Sequence, residues 1–228
     1  MKTRHTLKHL IILATGALFA AVVNHTFAYT YHVDITTTPL VSNTSVAPYY
    51  LDFQFATGST TTGNVGNNTI SVNDFSFTGG SALGSATTLG SASGSLSGTV
   101  TLLDSSTPSE LYQQFATSTT HIGFDVNSTL NLDAGLTPDL FTIAIMDSSL
   151  GSPAQIYTTA PDQASLATET INSTTTPSLA GYKGVGPANG SSQGSYSGVV
   201  ASVPEPSSFA MFLLGLGGLI SFMRHKRR

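Results

Sequence analysis

Tyr50-Leu51-Asp52-Phe53-Gln54-Phe55 alternates strictly, with Leu51, Phe53 and Phe55 on one side and polar residues between them. Period two marks a strand with one buried face, because successive side chains leave a strand on opposite sides. The pattern repeats outward from this stretch. Tyr29, Tyr31, Val33 and Ile35 share a face over residues 29–35. Ile70 and Val72 alternate with polar neighbours, and the phase then shifts at Asp74-Phe75-Ser76-Phe77, as one extra residue in a β-bulge would produce. Leu96, Val100 and Leu102 mark a fourth run, and Ile122, Phe124 and Val126 a fifth. Residues 140–146, LFTIAIM, are apolar almost throughout and read as a central strand. Weaker strands are expected at 155–158, 165–171 and 196–201.

These short alternating runs predict an all-β domain, an antiparallel β-sandwich, with jelly-roll winding as one form of it. One helix signal stands apart. Thr107-Pro108-Ser109-Glu110 offers an N-cap, a proline for the first turn and a Glu for a capping box, after which Leu111 and Phe115 would share a face. Residues 79–98 and 177–197 are rich in Gly and Ser and read as long loops.

The two ends carry different signals. Lys2, Arg4 and Lys8 precede an uncharged apolar run at 10–23, and small residues at Thr26 and Ala28 fit a cleavage site between Ala28 and Tyr29. Residues 1–28 therefore read as a secretory signal peptide with a helical core. At the other end, Pro204-Glu205-Pro206 precedes an uncharged segment at 207–223, followed by Arg224, Lys226, Arg227 and Arg228. The segment is at the lower length limit of a transmembrane helix, and the basic cluster acts as a membrane stop signal that stays cytoplasmic. The two prolines hold Glu205 in extended chain just outside the membrane. Between the ends, residues 29–178 are expected to form the β-sandwich domain and 179–203 a Gly/Ser-rich linker or final strand.

Removing the ends changes the electrostatics. Lys183 alone faces eleven acids in residues 29–203, a net charge of about −10, whereas the whole chain carries −4. A surface of that sign repels nucleic acid, which excludes it as a partner. Ser and Thr supply 27 and 29 of the same residues, and cysteine is absent, so neither disulfides nor thiolate chemistry are available.

Chemistry needs convergent groups, and the sequence does not converge them. His32 and His121 each stand at the edge of a strand pattern with no His, Cys or Glu at ligand spacing. The acids are spread singly, so Asp52, Asp74 and Glu110 form no evident hydrolase pair. Asp125, Asn127, Asn131 and Asp133 before Gly135 offer oxygens to calcium, but the spacing matches no EF-hand loop. No catalytic residue, metal ligand or cofactor is assigned. The expectation is a non-enzymatic protein. Tyr31, Tyr49, Tyr50, Tyr112, Tyr157, Tyr182 and Tyr196 could offer ring faces to a polysaccharide, which makes a carbohydrate-binding module the first alternative and a secreted hydrolase the second.

The order Pro204-Glu205-Pro206, short apolar span and terminal basic cluster resembles the PEP-CTERM sorting signal. The resemblance implies recognition of Pro204, Glu205 and Pro206 by a membrane-embedded exosortase, after signal peptidase has acted at Ala28 and Tyr29. It also implies export across the inner membrane, transient anchoring there by the C-terminal helix, release to the cell surface or beyond, and a host with an exopolysaccharide or biofilm matrix. The opening Tyr31-x-Val33-x-Ile35, the YLDFQF run at 50–55 and the order of the later strands further resemble an uncharacterised family of PEP-CTERM proteins, which implies no activity.

Overall fold

The computed structural model describes residues 28–58, 68–129, 137–148, 154–171, 178–185 and 200–202. Thirteen strands are described: β1 (Ala28–Thr36), β2 (Tyr49–Ala56), β3 (Thr69–Thr78), β4 (Thr87–Leu89), β5 (Ala92–Gly94), β6 (Val100–Leu103), β7 (Ser109–Phe115), β8 (His121–Thr129), β9 (Asp139–Asp147), β10 (Ala154–Gln155), β11 (Ala167–Ile171), β12 (Leu179–Gly181) and β13 (Val200–Ser202). They form two antiparallel sheets. The front sheet runs β13-β1-β8-β3-β6-β5 and the back sheet β12-β11-β9-β2-β7-β4, with β10 also on β9.

The pairings have a simple arithmetic. β1 pairs with β8, β2 with β7 and β3 with β6, so the partners' numbers sum to nine each time. Such a set results from folding the chain into one long hairpin and winding it, with its pairs falling alternately in the two sheets. The tip of that hairpin is the β4–β5 connection, where the chain crosses from the back sheet on β7 to the front sheet on β6. Gly90 makes the crossing: its φ is +60°, and a Cβ there would lie 2.4 Å from the Pro108 carbonyl oxygen. Gly90→Ala thus combines a left-handed backbone with a backbone clash. It is expected to cost about 1–3 kcal/mol in urea unfolding; a loss within measurement error would show that the tip does not hold the winding.

Side-chain alternation supplies the core. Tyr49, Leu51, Phe53 and Phe55 of β2 face inward and meet Tyr31, Val33 and Ile35 of β1 and Ile122, Phe124 and Val126 of β8 in one buried cluster. Phe53 joins the sheets most directly. Its ring lies 5.5 Å from Phe124 and 6.0 Å from Phe75 of the front sheet, and 6.4 Å from Phe141 of its own. β9 lies between β2 and β11, and its residues 143–147 are buried without alternation, as the run at 140–146 led one to expect.

The bulge also falls at the phase shift. Asn73 pairs with Asp125 and Ser76 with Gly123, so Asp74 and Phe75 stand opposite the single residue Phe124. Asp74 takes the strain at φ 56°.

The helix expected at 107–115 does not form; Ser109–Phe115 is strand β7. Leu111 and Phe115 share a face at spacing four in a helix and in a strand alike, so their spacing could not decide between the two. Ser109, which the helix would have placed in its first turn, donates from its hydroxyl to the Leu103 carbonyl at 2.6 Å. A single helical turn, α1 (Thr38–Val41), and a 3-10 turn at Thr44–Val46 lie between β1 and β2. The stretch read as a loop at 79–98 carries β4 and β5, and that at 177–197 carries β12. No described helix is long and apolar enough to cross a membrane. The expected signal helix and the segment at 207–223 lie outside the described residues.

Candidate functional site

The β3 bulge opens a cavity of about 540 Å³ at the edge of the front sheet. Before the bulge Ile70 and Val72 point into the core; after it Phe75 and Phe77 do, half-buried. Their rings lie 6.5 Å apart and 18° from parallel. With Ala82 and Leu96 they form the apolar lining. The polar lining comes from Asn73, Asp74 and Ser81 and from Ser97, Gly98 and Thr99 of the β5–β6 connection. Leu96 is anchored from behind, since its N–H donates to Gln113 Oε1 at 2.8 Å.

A chain of hydrogen bonds reaches the cavity rim from two strands away. Thr30 Oγ1 donates to Asn127 Oδ1 at 2.7 Å, Asn127 Nδ2 to Asn73 Oδ1 at 2.7 Å, and Asn73 Nδ2 to Asp74 Oδ2 at 2.8 Å. The row exists because Thr30, Asn127 and Ser71 pair in register, with Asn73 one step along. It fixes both amides and so the carboxylate they end on.

Next to this row the outer face of the front sheet gathers both histidines. His32 Nδ1 meets Asp125 Oδ1 at 2.6 Å and its Nε2 lies 3.5 Å from Asp34, while His121 Nε2 meets the other Asp34 oxygen at 3.0 Å. Gly123 leaves the room: a Cβ there would stand 3.1 Å from Asp34 Oδ1 and 2.7 Å from Ser76 Oγ. The hydrogen bond to Asp125 holds the His32 imidazole above its usual range, against the weaker opposing effect of burial. The sequence separates these groups by some ninety positions, and only the β1–β8 register unites them. Among the described residues, no group of three or more His, Cys, Asp or Glu is arranged to hold a metal ion.

Of the oxygen donors weighed for calcium, Asp125 is engaged by His32 and Asn127 by Thr30 and Asn73. Asn131, Asp133 and Gly135 lie outside the described residues. Asp52 and Glu110 come to one face of the back sheet, on the adjacent pairs Asp52–Tyr112 and Gln54–Glu110, whereas Asp74 belongs to the front sheet. Asp52 is fully buried, which raises its pKa to about 7, opposed in part by the hydrogen bond from Gln54 at 2.7 Å. Burial raises Glu110 too.

The tyrosines do not line up as a platform among the described residues. Tyr31 and Tyr49 are core, and Tyr50 and Tyr112 meet edge to face at 87°. Tyr182 lies 3.3 Å from the Thr168 hydroxyl, and Tyr157 is 42 % exposed. Tyr196 lies outside the described residues. The sequence offered tyrosine rings; phenylalanines line the cavity, and the phase shift at Asp74 was the one sign of it.

Ala28 and Tyr29 begin β1, paired with Thr129 and Ser128. At the other end of the chain, β13 pairs Val200, Ala201 and Ser202 with Thr36, Ile35 and Asp34. Residues 202–228 match the PEP-CTERM protein-sorting motif. The chain carries a PEP-CTERM sorting domain. Neither a curated protein nor a solved structure matches the chain. The PEP-CTERM signal marks an exported substrate of exosortase that is anchored in the membrane before processing. It overlaps β13 at Ser202, so Val203 alone separates the folded sheet from Pro204. Pro204, Glu205, Pro206, Arg224, Lys226, Arg227 and Arg228 lie outside the described residues.

Proposed function

We propose that this PEP-CTERM protein is a non-enzymatic component of the cell surface or extracellular matrix, delivered there by signal peptidase and exosortase. The sorting motif at 202–228 carries the reading. The cargo fits it: an acidic, hydroxyl-rich domain without cysteine, whose two sheets we take as a jelly-roll β-sandwich. Signal removal after Ala28 would leave Tyr29 already in β1, and the segment at 207–223 would hold the tail in the inner membrane until exosortase acts near Glu205. A hydrolase is disfavoured because Asp52, the buried member of the Asp52–Glu110 pair, offers substrate no approach.

Deleting residues 207–228 is expected to abolish the processed, surface-associated form and leave the domain in the soluble exported fraction. Fractionation and size analysis of the two proteins check this. Identical processing and location of the truncated protein would sink the reading.

The cavity at the β3 bulge favours a second reading, in which the displayed domain also binds a saccharide.

A further inference from the structure

The cavity's volume of about 540 Å³ falls in the range of small-molecule sites, which are concave and apolar with a few placed polar groups. Its apolar side is rigid. Phe75 packs against Phe53 at 6.0 Å and Phe124 at 5.4 Å, both in the core, and so holds its position without a ligand. Phe77 continues it at 18°, giving two nearly parallel rings along one strand. The polar side is equally fixed at Asp74, where the bulge turns the chain and the Thr30–Asn127–Asn73 row ends. Ser81, Ser97 and Thr99 complete it with exposed hydroxyls.

The lining narrows the ligand by charge. It contains no Lys, Arg or His, and Lys183, the only lysine or arginine among the described residues, follows β12 of the back sheet, where its backbone N–H donates to Thr159 Oγ1. A phosphate, sulfate or carboxylate would find no counter-charge here and would meet the Asp74 carboxylate. A wholly apolar ligand would strip water from Asp74, Asn73 and three hydroxyls without replacing it, a costly exchange. A ring with a C–H face and equatorial hydroxyls satisfies both walls: the face lies on the phenylalanines, and the hydroxyls exchange hydrogen bonds with carboxylate, amide and serine or threonine.

We propose that the cavity between Phe75, Phe77, Asp74 and Thr99 is a binding site for an uncharged sugar. The chemistry is the same for a free hexose and for a unit of a polysaccharide. It depends on the second reading above and not on the sorting of the chain, since binding is measured on purified protein.

The test uses the full chain in a sugar-free detergent, with three probe sets: neutral hexose oligosaccharides, the free hexoses, and uronic-acid oligosaccharides. Titration calorimetry is expected to detect a neutral probe, with oligosaccharide over hexose indicating a chain-binding site and the reverse a single-unit site. Phe77→Ala should weaken binding by about tenfold or more. Thr99→Arg fills the cavity from an exposed rim position without touching the core, and should do the same at unchanged melting temperature. The proposal is overturned if no neutral probe binds, if the uronic-acid set binds as tightly, or if Thr99→Arg folds and keeps full affinity.

Discussion

Phe53→Ala is expected to destabilise the domain by about 3–5 kcal/mol, the cost of removing a large, fully buried ring whose surroundings cannot collapse to fill the space. Phe53 is fully buried and touches Phe75, Phe124 and Phe141, so its loss opens the contact between the sheets and not merely one layer. Since whole domains hold about 5–15 kcal/mol, the variant should sit near the edge of folding. Phe53→Leu, which keeps most of the volume, should lose clearly less. Urea denaturation followed by circular dichroism gives both values. A Phe53→Ala loss below about 1 kcal/mol would mean that the two sheets are not joined through this ring.

Stability should also fall as pH rises from about 4.5 to above 7, and Glu169 should be a principal cause. Glu169 projects from β11 into the core, where Ser128 Oγ donates to it at 2.9 Å and the Tyr31 hydroxyl approaches. Burial outweighs those bonds and raises its pKa to about 7. Below its unfolded pKa, both states hold the proton and the folded state keeps its full stability. Between that value and 7 the unfolded chain releases the proton while the folded chain retains it, so each step up in pH favours unfolding. Above the folded pKa the loss is complete, on the order of 2–4 kcal/mol. Asp52, also raised to about 7 by burial, acts in the same sense from near pH 4 upward. Glu169→Gln cannot ionise. It should match the parent near pH 4.5, exceed it at pH 8, and flatten the profile. Parallel melting curves of the two proteins from pH 4.5 to 8.5 would show that Glu169 ionises as freely in the core as in water.

How much of this could be read from the chain depends on what each residue buries. Tyr49–Ala56 declared itself because Leu51, Phe53 and Phe55 alternate against polar neighbours, and a half-buried strand has no other use for that pattern. β4 and β5 bury almost nothing; all three residues of Thr87–Leu89 are exposed. Backbone pairing with β7 and β6 creates them, and no side-chain periodicity announces that. β7 was legible as amphipathic but not as a strand, because spacing four serves both periods. Of the candidate site, the bulge at Asp74 showed as a phase shift, while the cavity did not: its walls come from β3, residues 81–82 and residues 96–99, which only the winding assembles. The His32–Asp34–His121 group was hidden for the same reason.

The wound hairpin also orders events during secretion. A chain that emerges N-terminus first presents β1 early, yet its pairing partners are β8, which starts at His121, and β13, which starts at Val200. Nearer the tip the loops to be closed are short, and short closures cost less entropy. Pairing is therefore favoured to begin around Gly90 and travel outward through β3–β6 and β2–β7, leaving β1 exposed longest. Its edge is completed only when Val200, Ala201 and Ser202 have been translocated. The strand whose docking covers the free edge of β1 is thus the one that adjoins the sorting signal, with Val203 alone between Ser202 and Pro204.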